Sequence, residues 1–224
     1  MPRGFLVVAL SLLPLLAVAA PVPKFKEPPA RKLARLFGDP TLPDDTCKAE
    51  LRDDALRLTG GADEHVWHAG EGGMKVPFTA REVTGDFTAT VTVRAVDLLE
   101  TGSVTGVAGL LVMKDTETTL DHSLYLTGDR ATAARRGWLR AVAAGNQVST
   151  KEDLSAAFAE DAVRLKVQRV GTTVTASVAG VGKEWTEIDR FEMALDKSAK
   201  VGLFVAHTGG PFTAEFRDFT VTTK

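Results

Sequence analysis

Three carboxylates in a short run, Glu187, Asp189 and Glu192, are the sharpest candidates for catalysis in this sequence. Retaining glycoside hydrolysis needs two carboxyl groups about 5 to 5.5 Å apart, one as nucleophile and one as acid/base. On a strand Glu187 and Asp189 share a face, and a one-residue bulge brings Glu192 onto it. The chain is rich in acidic residues, however, and such spacing arises in it without any function. We expect the three carboxylates to lie along an edge strand and its following loop, in water, where isolated charges are easily kept ionised.

The second cluster is Glu64-His65-Val66-Trp67-His68. Two histidines three apart suit a metal on a helix, but this segment reads as strand or loop, where they point to opposite faces unless a bulge intervenes. A third ligand (Glu64, His122 or His207) would have to be brought in by the fold. The sequence by itself therefore predicts no metal and no cofactor, with Trp67 packed at a rim and the histidines solvated or hydrogen-bonded. Cys47 is the single cysteine, so no internal disulfide forms, and no Cys-His signature accompanies it; it is expected to be buried and inert. No Ser-His-Asp signature, phosphate-cradling loop or paired-cysteine zinc spacing occurs.

Aromatic side chains offer a different chemistry. Sugar-binding surfaces stack a pyranose ring on Trp or Tyr and orient it with charged or amide groups. Trp67, Trp138, Trp185 and the sole tyrosine, Tyr125, are the available platforms. Trp138 sits among Arg135, Arg136 and Arg140, and Trp67 sits beside His68. The ligand-binding residues expected from the sequence are Trp67, His68, Trp138 and Arg140, although core or rim packing is the competing use of each ring.

These residues must be positioned by strands. Phe87, Ala89, Val91, Val93 and Ala95 alternate with Thr88, Thr90, Thr92 and Arg94, the period of a half-buried strand. Val163, Leu165 and Val167 alternate with Arg164, Lys166 and Gln168; Gly171 then turns the chain into Val174, Ala176 and Val178, a hairpin. Stretches 107–113 and 201–206 are apolar on both faces, which implies cover on both sides and two stacked layers. About a dozen such segments, separated by Gly- and Asp-rich turns, predict an all-β, antiparallel two-sheet sandwich of jelly-roll type, with a closed barrel as the alternative. One short helix is expected over Lys151–Glu160, capped by Thr150 and carrying Leu154 and Phe158 on one face. Phe87, Val91, Leu165, Val167, Leu203 and Phe216 are the predicted core.

The N-terminal end reads differently. Arg3, the apolar run from Phe5 to Leu16, and the small residues Ala17 to Ala20 have the three-part pattern of a secretory signal peptide, expected over residues 1–20. The run is too short for a membrane span, which needs about 20 apolar residues. Residues 21–45 carry six prolines and read as a tether, with room for one or two helical turns over Arg31–Phe37 and no more, and residues 46–224 read as the β-sandwich domain. Removing residues 1–20 leaves 26 basic and 29 acidic residues, without the positive excess that nucleic acid or an anionic membrane would attract. An extracytoplasmic location, periplasmic or secreted, follows from the signal peptide.

The run PDDTCKAELRDDALRLTGGADEHVW, then REVTGDFTATVTV and GVAGLLVMKD, and late in the chain VRLKVQRVGTTVTASVAGVGKEW and KVGLFVAHTGGPFTAEFRDFTV, together resemble the concanavalin A-like lectin/glucanase superfamily. They are most similar to the secreted domains filed as domain of unknown function 1349, over about residues 37 to 223. The resemblance implies a concanavalin A-like sandwich in which Trp185 is structural. Glu187 to Glu192 fits the Glu-x-Asp-x-x-Glu pattern of retaining glucanases on that sandwich, but it lies after Trp185 rather than mid-chain. Relatives often carry a Ser-x-Asp-Gly turn before the late Trp; here Ser177 to Gly182 has no Asp. Fold does not fix function. The expectation is a non-catalytic exported domain that binds carbohydrate or a cell-envelope surface; the alternatives are a glycoside hydrolase using Glu187 and Glu192, or a purely structural interaction module.

Overall fold

A computed structural model describes residues 27–66, 75–97, 104–128, 134–153 and 156–224. The expected signal peptide lies outside them, as do Trp67 and His68.

Two seven-stranded antiparallel sheets are stacked face to face. The chain runs α1 (Pro29–Phe37), β1 (Asp39–Thr41), β2 (Lys48–Arg52), β3 (Ala55–Gly60), β4 (Phe78–Thr84), β5 (Phe87–Asp97), β6 (Val104–Met113), β7 (Thr119–Gly128), β8 (Ala134–Ala143), β9 (Asn146–Asp153), β10 (Ala162–Val170), β11 (Thr173–Gly180), β12 (Thr186–Glu192), β13 (Ser198–Thr208) and β14 (Phe212–Thr223). The front sheet has the order β1-β4-β13-β6-β7-β8-β9, and the back sheet β12-β11-β10-β5-β14-β3-β2. This is the predicted jelly-roll sandwich, open at its edges rather than closed into a barrel.

The period-two reading places the core correctly. Phe87, Val91, Leu165, Val167, Leu203 and Phe216 are all buried between the sheets. Threonines fill the outer face of β5, where Thr90 and Thr220 share a hydroxyl hydrogen bond of 2.8 Å. The β10–β11 hairpin turns at Gly171, whose φ of +61° is left-handed and suits a residue without Cβ. Strands β6 and β13 are apolar on both faces for two reasons. Leu110, Val112, Val201 and Leu203 face the core, while Leu111, Met113, Phe204 and Ala206 form a second cluster outside it with Val76 and Phe78. His122 joins the layers from the inside, its Nε2–H donating to the Ser177 carbonyl at 2.9 Å.

Three local expectations are corrected. Residues 29–41 are part of the folded unit rather than a free tether. Pro29 starts α1 where a missing N–H costs nothing, and Leu33 and Phe37, four apart, bury one face of the helix. Phe37 stacks on Phe219 with ring centroids 6.2 Å apart, and β1 then pairs with β4. The helix expected over Lys151–Glu160 is instead the end of β9 followed by a 3-10 turn, Ala156–Ala159. Pairing with β8 outweighs the weak helical preference of the segment, and the turn delivers Phe158 fully into the core. Of Ser177 to Gly182, read as a turn, the first four residues are the end of β11, and the chain turns at Val181 and Gly182.

No helix among the described residues is long and apolar enough to cross a membrane.

Candidate functional site

The outer face of the front sheet carries a groove of about 360 Å³ over β13, β6, β7 and β8. Alternation builds it. Leu120, Leu124, Leu126, Leu139 and Ala141 point into the core, so Asp121, Ser123, Tyr125, Trp138 and Arg140 point out. The β7–β8 register then sets them opposite one another: Asp121 faces Arg140, Ser123 faces Trp138, and Tyr125 faces Arg136. Ser123 also lies opposite Gly109 on β6, where a Cβ would come within 2.2 Å of the His122 carbonyl oxygen. The two small residues thus let the strands lie close beneath Trp138. Phe204, Ala206 and Val107 make the apolar side of the groove, and Val66 and Thr208 close one end.

Tyr125 and Trp138 are neighbours, with centroids 6.0 Å apart and planes inclined by 36°. Both are half-buried. The Arg136 guanidinium lies 4.5 Å from the Tyr125 ring centroid and donates from Nη1 to Glu152 at 2.6 Å. One face of the tyrosine ring is therefore covered by a cation that is itself anchored.

Asp121 gives the groove its unusual electrostatics. It is buried, and loss of solvation pushes its carboxyl up to about 7, against the opposing pull of Arg140 and a hydrogen bond from Ser123. Near neutral pH it can thus donate or accept a hydrogen bond, beside an arginine that only donates.

Trp138 and Arg140, two of the four ligand-binding residues expected from the sequence, are brought together here. Trp67 and His68 lie outside the described residues, although Val66, which precedes them, lines the groove. The sequence marks Tyr125 only as a platform and does not single out Asp121. A polar residue at every second position of an apolar strand (Asp121, Ser123, Tyr125) was the available signal. Trp185 lies elsewhere, on the outer side of the back sheet, with Arg164 at 4.4 Å and Lys166 at 4.6 Å from its ring centroid.

The carboxylates proposed for hydrolysis are each engaged separately on β12, an edge strand. Glu187 pairs with Arg190 at 2.8 Å. Asp189 accepts a bond from Ser149 on the facing edge strand β9. Glu192 accepts from Thr173 at 2.8 Å, and threonine hydroxyls hold its carboxyl below the usual range, the opposite of what an acid catalyst needs. A bulge does occur in this pairing, but its extra residue is Ile188 on β12, between Glu187 and Asp189; it parts those two carboxylates rather than bringing Glu192 onto a shared face.

At the Val66 end of the groove, His65 pairs through its backbone with His207. Its ring meets Asp44 and Cys47, partners that the sequence reading did not consider for it. His122 is not among them, being committed to Ser177. Burial raises the Cys47 thiol above its usual value, and a Gly61 backbone N–H opposes this.

Comparison with known proteins fits this architecture. No family model matches the chain, and no curated protein does. Solved structures do. A functionally unknown protein from Saccharomyces cerevisiae superposes with TM-score 0.61 at 15% identity, covering 82% of this chain and 99% of that one. A GH43 protein from Bacillus licheniformis gives 0.57 at 18% identity, with 79% of this chain and 35% of that chain covered. A GH43 protein of a xyloglucan utilisation locus in Bacteroides ovatus gives 0.56 at 17%, with 92% and 42% covered. The chain therefore spans well under half the length of the two GH43 proteins. At these identities what is shared is the β-sandwich fold.

Proposed function

We propose that this chain is a non-catalytic, exported sugar-binding domain that holds a carbohydrate in the groove over β7 and β8. One observation carries the reading: an aromatic pair, Tyr125 and Trp138, stands in the same groove as Asp121 and Arg140. Pyranose rings present apolar C–H faces to aromatic rings and hydroxyls at their rims. Asp121 and Arg140 meet such hydroxyls with an acceptor–donor and a donor. Export rests on the signal-peptide pattern of residues 1–20, and membership of domain of unknown function 1349 on the quoted strand motifs; both belong to the same proposal. The hydrolase alternative is disfavoured by the separate engagement of Glu187 and Glu192.

The test is calorimetric titration of the chain with a panel of soluble polysaccharides, xylan, xyloglucan and β-glucan among them. Trp138→Ala should abolish the binding seen with wild type, while the Glu187→Gln, Glu192→Gln double variant should bind as wild type does. Binding that survives Trp138→Ala unchanged places the ligand elsewhere, and no binding across the panel rejects carbohydrate as the ligand.

A further inference from the structure

Asp44, Cys47 and His65 place a carboxylate oxygen, a sulfur and an imidazole nitrogen within 4.8 Å of one another. The His65 Nε2 is the hub, 3.2 Å from Cys47 Sγ and 3.2 Å from Asp44 Oδ2. A tetrahedral zinc with bonds of about 2.3 Å to sulfur and about 2.0 Å to nitrogen and oxygen would separate its donors by about 3.3 to 3.6 Å. The two edges that meet at His65 Nε2 are therefore within a few tenths of an ångström of that polyhedron, and the third, from sulfur to carboxylate, is at most 4.8 Å.

Each donor is also oriented from behind. His65 Nδ1 lies 3.2 Å from the Lys75 carbonyl, which can only accept, so Nδ1 carries the hydrogen. In the neutral ring Nε2 then presents its lone pair to the hub, where the Cys47 thiol at 3.2 Å is the proton donor beside it and Asp44 Oδ2 stands opposite as a second acceptor. A cation in place of the thiol proton meets the nitrogen, the sulfur and the carboxylate together. The other Asp44 oxygen, Oδ1, is held by the Thr46 hydroxyl at 2.6 Å, the Thr46 N–H at 2.8 Å and the Cys47 N–H at 3.2 Å, which leaves Oδ2 for the hub. This is the outer-shell arrangement that metal-binding His and Asp side chains use.

An independent observation lies beside the cluster. His207 packs edge-on to His65 with centroids 5.2 Å apart and is 2% exposed. Neither of its ring nitrogens has a partner in bonding geometry; burial and then His65 hold its pKa below the usual value, with the Gly210 backbone opposing them. A buried imidazole without hydrogen bonds is costly, and here it adjoins a set of metal-type donors.

We propose that Asp44, Cys47 and His65 bind one zinc ion, which fastens the segment before β2 to the strand extension at His65. Binding displaces the thiol proton to solvent and leaves a thiolate on the metal. Cys47 and His65 are both 3% exposed, whereas the Asp44 side chain is 30% exposed, so the ion enters past the carboxylate and keeps water on that side. The donor set, one each of S, N and O, favours zinc over the oxygen-seeking calcium or magnesium. Because Val66 follows His65 and closes the end of the groove, the metal would fix that wall.

The test uses the full chain, stripped with a chelator under reducing conditions and titrated with zinc alone. One equivalent should bind, and the melting temperature should rise with zinc concentration as binding to the folded state requires. His65→Gln should weaken binding by more than about 100-fold, beyond the loss of an outer-shell partner. Cobalt loaded in place of zinc should give a thiolate-to-metal charge-transfer band with wild type and none with Cys47→Ser. That readout depends neither on the stability of the variant nor on sugar binding, so the site and the proposed function stand or fall separately. No stoichiometric zinc, or a wild-type cobalt spectrum without the sulfur band, would overturn the proposal and leave a hydrogen-bonded His-Asp-Cys cluster.

Discussion

Replacing Asp121 by Asn tests the electrostatics of the groove most directly. The carboxyl is buried, and its value rises from 3.8 in the unfolded chain to about 7 in the fold. A group raised in this way contributes its full stability below the unfolded value, and that contribution is lost as pH rises through the folded one. The folded protein should therefore carry a growing penalty from Asp121 between about pH 4 and about pH 7. Linkage makes it about 1.6 kcal/mol at pH 5 and about 4 kcal/mol at pH 8. Asn keeps the shape and never ionises, so it is spared this penalty. Urea unfolding of wild type and Asp121→Asn across this range gives the difference directly. Groups common to both proteins cancel, including His207, whose lowered value acts in the opposite direction around pH 6. The variant should gain about 2 to 3 kcal/mol relative to wild type from pH 5 to pH 8. A difference that stays flat with pH would show that Asp121 ionises as an ordinary surface carboxylate, and would remove the argument that it both donates and accepts in the groove.

Two further substitutions probe how the sandwich is held. Gly202→Ala would place a Cβ 1.7 Å from the Thr79 carbonyl oxygen, a backbone atom of the neighbouring strand, and should cost about 3 kcal/mol or more in denaturant unfolding; a neutral result would mean that β4 and β13 are not paired in this register. Phe37→Ala should cost about 3 kcal/mol and make the chain before β1 sensitive to protease, since this 2% exposed ring anchors α1; unchanged protection would return residues 29–41 to the status of a tether.

Strands with strict alternation were legible because burial on one face leaves a period-two signature in the sequence. Phe87 to Val93 and Val163 to Val167 needed nothing else. The double-faced runs of β6 and β13 revealed that they are covered, but not that Val76 and Phe78 cover the outer side. Helix α1 was half legible: Arg31–Phe37 offered one or two helical turns, but proline density argued for a free tether, and the packing of Leu33 and Phe37 was hidden. The end of β9 was misread as helix because its partner strand, and not its own composition, decides its state. In the groove, Trp138 and Arg140 were legible by type. Asp121 was not, since its meaning comes from the β7–β8 register that sets it against Arg140. The partners of His65 were equally hidden, being loop residues joined to it only by the fold.

The four strands that end the two sheets, β1, β9, β12 and β2, have a further consequence. An end strand offers unsatisfied N–H and C=O groups to any passing chain, the geometry from which fibrils grow. Here β12 carries Glu187, Asp189, Arg190 and Glu192, β2 carries Lys48, Glu50 and Arg52, β9 carries Lys151 and Glu152, and β1 has Pro40 at its centre. An incoming strand would have to strip water from those charges or do without a donor at the proline. The run of carboxylates that first looked like catalytic machinery thus has a use that needs no substrate: it keeps copies of the molecule from joining edge to edge when they are crowded together.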